Sequence, residues 1–320
     1  MKESNQKILS NTALFFTALI WGLSFVAQKA GMDYVGPFSF NFMRSIIGGI
    51  SLIPVIYFIK LVTKDNRPQK LKKLQHILLA KAGLSCGTAL FIAMSIQQYS
   101  MLYSSAGKAG FITSLYIIFV PLISMFFGQK LSKNVKLSIV IALIGLYLLC
   151  FKGGISGFDI YDLVLLIGAV FYGIHILVVN YFSKRINPTK VSCLQFFVVG
   201  FLSLPLMLLF ETPHIQNFTN CSVPILYAGV LTCGVAYTLQ IFGQKYTLPV
   251  VASLILCLES VFAVIGGGLI LHETMELKEI LGCIFMISAV IISQIDPQAL
   301  KQVFRQPSLT EEEKNEDFIS

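Results

Sequence analysis

About ten apolar stretches, each close to the length that crosses a bilayer, run through this 320-residue sequence. A helix needs about 20 apolar residues to span the hydrocarbon. Windows of that length fall at roughly 11–29, 38–60, 76–98, 106–128, 137–152, 161–182, 191–211, 223–243, 249–271 and 278–295. They are too long and too uniformly apolar for barrel strands, which alternate over about ten residues. The expected fold is therefore an all-α polytopic membrane protein with about ten transmembrane helices. Only 12% of residues are charged, against roughly 25% in soluble domains, and mean hydropathy is +0.76. The net charge of +8 then calls for no nucleic acid and is better tested as a loop bias.

The loops carry that bias. With the N-terminus placed in the cytoplasm, 18 of the 24 Lys and Arg fall on the cytoplasmic side, including Lys60, Lys64, Arg67, Lys70, Lys72 and Lys73. The outside keeps Lys29, Lys108, Lys152 and Lys278, and its loops are acidic: Asp33, Asp159, Asp162, Glu211, Glu273, Glu276 and Glu279. This ratio argues for cytoplasmic termini and an even number of spans, in a plasma-membrane, multi-pass protein. The first apolar run is too long for a signal peptide and has no clean small-residue cleavage site, so it reads as a retained span. The seven Cys show no CxxC and no zinc spacing, and read as small hydrophobes in helices. Residues 1–10 read as a cytoplasmic N-terminus. The charged end, 296–320, reads as a cytoplasmic tail, mostly disordered after a short helical start.

The two halves, 11–152 and 161–295, match weakly but in order. Gly22, Pro37 and Pro54 align with Gly173, Pro188 and Pro205 at an offset of 151. Cys86-Gly87, Gln97 and Tyr99 align with Cys233-Gly234, Gln244 and Tyr246 at 147, and Lys130 and Lys136 with Glu273 and Glu279 at 143. Each half holds five spans. Five is odd, so the second half enters the membrane in the opposite sense, as the swap from a basic to an acidic fourth-to-fifth loop suggests. Inverted repeats of this kind build many secondary transporters, with substrate held near the midplane between them.

Three phrases, WGLSFVAQKAGM (21–32), AGKAGFITSLYIIFVPL (106–122) and ASLILCLESVFAVIGGGLILHE (252–273), give the chain a family likeness over about residues 11–295. It resembles the EamA-type permeases of the drug/metabolite transporter superfamily. The resemblance implies two five-helix repeats and export or exchange of small metabolites, such as amino acids or drug-like compounds, without ATP. Ser260 stands where that family often has Pro, so no break is expected in the ninth span, whereas Pro121 remains in the fourth.

The candidate site centres on Glu259. It lies about ten residues into its span, or about 15 Å deep, near the middle of a roughly 30 Å core. An acid at that depth is costly and by default a functional hypothesis; it suits binding of a proton or a cationic group, or else locks helices together. Arg44 lies about 9 Å into the second span. A guanidinium there stays charged and needs a partner or a water-filled cavity. It either pairs with Glu259 and opens on substrate binding, forms a static ion pair, or snorkels outward. Lys108 could attract anionic groups or snorkel to headgroups. His175 could relay a proton or be a hydrogen-bonded packing residue. Gln28 and Gln240 supply amides, and Trp21, Tyr116 and Tyr237 amphipathic rings, either to a pocket or to helix contacts. Tyr116 takes the acid's place at the 143 offset.

No phosphate loop, HExxH or GxSxG occurs in the sequence, which argues against an enzyme. No cofactor or metal is expected. The expectation is a secondary transporter of a small-molecule substrate working by alternating access, coupled to protons or to exchange, as a monomer or homodimer. The alternative is a membrane-embedded sensor or scaffold that recruits partners through its tail.

Overall fold

A computed structural model describes residues 2–62, 68–104, 106–150, 160–270 and 276–294. The expected tail, and Lys64, Arg67, Lys152, Asp159 and Glu273, lie outside the described residues. Every regular element among the described residues is helical. Helices α1 (Lys2–Gly31), α2 (Pro37–Val62) and α3 (Gln69–Ser100) are followed by a broken span, α4 (Ala106–Ser114) and α5 (Tyr116–Phe126), and by α6 (Lys133–Cys150). The second half runs through α7 (Ile160–Ser183), α8 (Pro188–Phe210) and the short α9 (Ile215–Asn220). Its third span joins α10 (Ser222–Leu226), a π-helical segment (Tyr227–Ala236) and α11 (Tyr237–Gly243). Another broken span, α12 (Pro249–Leu256) and α13 (Glu259–Ile270), precedes α14 (Leu277–Gln294). Nine spans among the described residues are long and apolar enough to cross a membrane; α6, packed along α14, stands where the remaining one is expected.

Local chemistry sets the ends. Pro37, Pro188 and Pro249 each open a helix, where a missing N–H costs nothing. After α5 the chain stops in a Schellman turn: Gly128 sits at φ +82, with Gly128 N–H donating to Met125 O and Gln129 N–H to Ser124 O. Only glycine takes that backbone without penalty. The buried face of α2 is mostly small or polar, with Ser39, Asn41, Ser45, Gly48 and Gly49 beside Phe40 and Leu52, while Ile53, Tyr57, Phe58 and Leu61 are exposed. Apolar side chains outside and small or polar ones inside is the pattern of a helix bundle in lipid.

Contacts at helix ends fix the threading. At one end of the bundle, called here the far face, Lys29 near the end of α1 donates to Met101 O and Ser104 O beyond α3, at 2.7 and 3.2 Å. Lys108 in α4 pairs with Asp162 in the first turn of α7 at 2.6 Å. At the opposite, near face, Asn11 of α1 donates to Gln294 at the end of α14. Helices α1 and α7, which open the two halves, thus run in opposite senses. Packing obeys the same exchange: α3 lies on α7 as the π segment and α11 lie on α1, and α2 meets α8, its own repeat mate, as α6 meets α14.

Asp162 and Glu279, expected in outer loops, are instead buried in the first turns of α7 and α14, where the helix dipole favours an acid. Glu211 also has a structural task. Its carboxylate accepts from Phe38 N–H and Ser39 N–H, each at 2.8 Å, and from the Ser39 hydroxyl, capping α2 from the end of α8. Glu211→Ala should therefore cost about 1–2 kcal/mol, the usual value of a lost cap. Thermal unfolding in detergent checks this, with Glu211→Gln expected to recover part of the loss.

The ninth span departs from expectation. It breaks between Leu256 and Glu259 although no proline is present. There the bonds tighten to one-residue-shorter turns, Leu258 N–H to Ile255 O and Ser260 N–H to Cys257 O, before Phe262 N–H to Leu258 O restores the α pattern. The fourth span breaks in the same way at Leu115, the 143-offset mate of Leu258. The two breaks face each other, and tertiary bonds replace what proline would impose: Cys257 Sγ–H reaches Ser114 O at 3.3 Å, and the Ser114 and Ser260 hydroxyls bond at 2.8 Å.

Helix α1 presses directly on this crossing. A Cβ on Gly22 would lie 2.5 Å from Glu259 O and 2.9 Å from Ala263 N, both backbone atoms. Its mate Gly173 is looser, with nothing nearer than 3.3 Å. Gly22→Ala should lower stability by about 1–3 kcal/mol, as overpacking does, and Gly173→Ala by distinctly less. Equal thermal midpoints for the two variants would contradict the close approach of α1 to α13.

Candidate functional site

Tyr116 and Glu259, at the crossing of the broken helices, line a small cavity of about 30 Å³. Glu259 begins α13 and faces this cavity, only 3% exposed. Its Oε1 accepts from the Tyr116 hydroxyl at 3.1 Å and the Ser114 hydroxyl at 3.2 Å. Both donors come from the repeat-related break in the first half. The acid is thus oriented by residues at its own inverted counterpart.

Arg44 lies across the cavity, two turns into α2 and 2% exposed. Its Nε donates to Asn41 Oδ1 at 2.9 Å and its Nη1 to Gln28 Oε1 at 2.7 Å. Gln28 Nε2 in turn donates to Ser24, which accepts from Thr232 of the π segment. The Phe40 ring lies 5.4 Å from the guanidinium carbon. Among the described residues Nη2 has no hydrogen-bond partner, and no ion pair joins Arg44 to Glu259 in this conformation. A buried guanidinium held by two neutral acceptors keeps one donor edge available to a ligand.

Aromatic rings supply the walls. Trp21 packs on Tyr237 with centroids 4.6 Å apart, and its Nε1–H has no hydrogen-bond partner among the described residues. The Tyr172 hydroxyl donates to Gln97 Oε1 at 2.9 Å, and Gln97 Nε2 donates to Thr113 at 3.0 Å. The ring faces and amide edges thus have their orientations fixed by neighbours rather than by solvent.

Of the residues singled out from sequence, Glu259, Arg44, Trp21, Gln28, Tyr116 and Tyr237 meet at this cavity. His175 does not line it; the ring sits behind Tyr237, centroids 5.9 Å apart, and donates from Nε2 to Gln195 Oε1 at 3.2 Å. Gln240 is fully buried one turn beyond Tyr237, also outside the cavity lining. Lys108 is at the far face with Asp162.

Sequence reading missed Ser114, Ser24, Asn41 and Thr232, small polar residues with no signal of their own. The offset that pairs Ser114 with Cys257 could have raised the first. It also missed the π segment, which turns Thr232 and Cys233 toward the cavity. There the Tyr237 N–H donates to Thr232 O, five residues back. Such π turns concentrate at functional sites.

Over residues 9–151 and 159–294 the sequence matches the EamA-like transporter family. The chain belongs to the EamA-like transporter family. An uncharacterized transporter of Archaeoglobus fulgidus is 30% identical over 291 residues, covering 91% of this chain and 87% of that protein. Uncharacterized transporters of Clostridium kluyveri and Bacillus subtilis, the latter called YoaV, are each 26% identical and cover 88% and 86% of this chain, and 90% and 93% of their own lengths. A solved crystal structure superposes with a TM-score of 0.72 at 16% identity, covering 93% of this chain and 99% of that one, which establishes a shared fold. This EamA-family chain is a multi-pass membrane transporter, and the family match falls in two segments, one in each half of the chain.

Proposed function

We propose that this EamA-family protein is a secondary transporter whose small organic substrate binds between Arg44 and Glu259 and crosses the plasma membrane by alternating access. The observation that carries this reading is a buried guanidinium, Arg44, and a buried carboxyl group, Glu259, that line one cavity without bonding to each other. Burying an isolated charge is expensive, and a transmembrane ionisable group is retained where it serves a pathway. Arg44 Nη2 suits an acidic or carbonyl oxygen, Glu259 suits an amine or a proton, and the rings of Trp21, Tyr172 and Tyr237 suit an apolar body between them. Metabolites with separated acidic and basic ends, including amino acids, meet that description, as do drug-like compounds of the same charge pattern. Coupling to protons through Glu259, or exchange of one such metabolite for another, would supply the driving force. The excess of Lys and Arg in the near-face loops supports a cytoplasmic near face and cytoplasmic termini.

The test is a thermal-shift panel of amino acids, amines and organic acids on purified protein. A compound that binds only the folded state raises the apparent midpoint. Zwitterionic compounds should stabilise the wild type and lose that effect in Arg44→Ala and in Glu259→Gln. Hits that persist unchanged in both variants would place the binding site elsewhere.

A further inference from the structure

The offset that aligns Gly22 with Gly173 also aligns other residues of the cavity. Ser24 matches His175, Asn41 matches Ser192 and Arg44 matches Gln195; at 147, Gln97 matches Gln244. The first member of each pair belongs to the polar network on the far-face side of the cavity, where Ser24, Arg44 and Gln97 are lining residues. The second members also gather, on the near-face side. His175 lies one turn past Tyr172 on α7, Ser192 and Gln195 lie in the first two turns of α8, Gln240 lies one turn past Tyr237 on α11, and Gln244 is the C-cap of that helix.

This second cluster is packed shut. Gln195, Gln240 and Gln244 are 0% exposed and His175 is 1% exposed, and none lines the cavity. It is also poorly satisfied. His175 bonds Gln195 Oε1, and Gln244 Nε2 donates to Ile176 O at 3.0 Å. Gln195 Nε2, Gln244 Oε1, the Ser192 hydroxyl and both polar atoms of Gln240 have no protein partner among the described residues. A buried polar atom left without a partner forfeits the hydrogen bonds it would make in water, a poor choice for a contact that served packing alone. Leucine at Gln240 would fill the same space without that cost.

We propose that His175, Gln195, Gln240 and Gln244 are the second half-site of the transport path, closed in this conformation and opened to the near face when the repeats rock. It rests on the transport reading above. Exchange of roles between inverted repeats turns the far-side network into its near-side mate, so the residues that line the path in one state are those packed shut in the other. The half-site takes uncharged polar groups, carbonyl, hydroxyl or amide, through amide hydrogen bonds. Its chemistry is not a copy: Gln195 replaces Arg44, and the mate of Glu259 is Tyr116. An acidic group gripped by Arg44 on the far side meets no guanidinium at the matching near-side position. The substrate's charged ends are therefore bound at the centre and far side, and its passage toward the near face is a release step.

Thiol accessibility tests this. Gln240→Cys and Gln195→Cys are each compared with wild-type protein, which retains its native cysteines, in vesicles of known sidedness. The probe is a small cationic methanethiosulfonate that does not cross membranes. The expected result is modification from the near face at least about tenfold faster than wild type, because an opening equilibrium exposes the site, with no gain in rate from the far face. If both variants fold, by size exclusion and thermal midpoint, and neither reacts faster than wild type from the near face, the half-site is overturned; reaction from the far face overturns it equally. Wild-type flux of a panel compound is measured in the same vesicles. Flux without near-face labelling refutes the half-site and leaves the transport reading standing. Labelling without flux of any panel compound counts against the transport reading instead.

Discussion

Arg44→Ala should reduce substrate binding by roughly 10- to 150-fold, since a charge-assisted hydrogen bond contributes about 1.5–3 kcal/mol. The side chain is held in place before any ligand arrives: Asn41 and Gln28 fix two of its nitrogens, Asn41 itself donates to Met94 O, and Phe40 covers one face. Binding therefore spends little on ordering this group. Arg44→Lys keeps the charge but not the planar fork. A single ammonium cannot hold Asn41 and Gln28 in the same geometry and still point at the cavity, so Lys is expected to recover only a minor part of the affinity. The panel's strongest zwitterionic binder, titrated calorimetrically, measures both effects. Far-UV circular dichroism shows whether the helices persist, and a variant with native helicity and wild-type affinity would remove Arg44 from the site.

Glu259→Gln has the second large effect, and it falls on coupling as well as affinity. The amide keeps the shape and can still accept from Ser114 and Tyr116, so the crossing of α4, α5, α12 and α13 should persist. What it loses is the capacity to alternate between charged and neutral forms. The expected result in proteoliposomes is flux lowered at least about tenfold and a pH profile flattened relative to wild type. A decrease in flux with the pH profile retained would leave Glu259 as a binding group and move coupling to another residue. Ser114→Ala separates orientation from charge: it removes one of the two hydroxyls that aim the carboxylate while leaving the acid. Its expected effect is a smaller decrease with the pH dependence kept.

Much of the fold was legible in the sequence because a bilayer imposes a length on every span and a charge bias on every loop. The ten windows coincide with helices, and Pro37 and Pro188 mark the same helix start in each half. What escaped depended on partners distant in sequence. The break at Cys257 and Leu258 carries no proline; it is held by a thiol reaching Ser114 O and by the Ser114–Ser260 bond, neither visible in a local window. The π segment leaves no trace in apolar periodicity. At the site, depth arithmetic placed Arg44 within reach of Glu259, yet the guanidinium turns to Asn41, three residues back on its own helix, and to Gln28. Neighbouring neutral acceptors hold the guanidinium, and it forms no ion pair with Glu259. The repeat offset proved more informative than any single motif, since it pairs Leu115 with Leu258 and Arg44 with Gln195.

The placement of substrate between Arg44 and Glu259 is tested most directly by a structure determined with the panel's strongest zwitterionic binder. The expected density lies in the cavity bounded by Trp21 and Tyr237, with the acidic end within hydrogen-bond distance of Arg44 Nη2 and the amine within hydrogen-bond distance of Glu259. Ligand density outside this cavity, or Arg44 bonded directly to Glu259 with the ligand bound elsewhere, would contradict it.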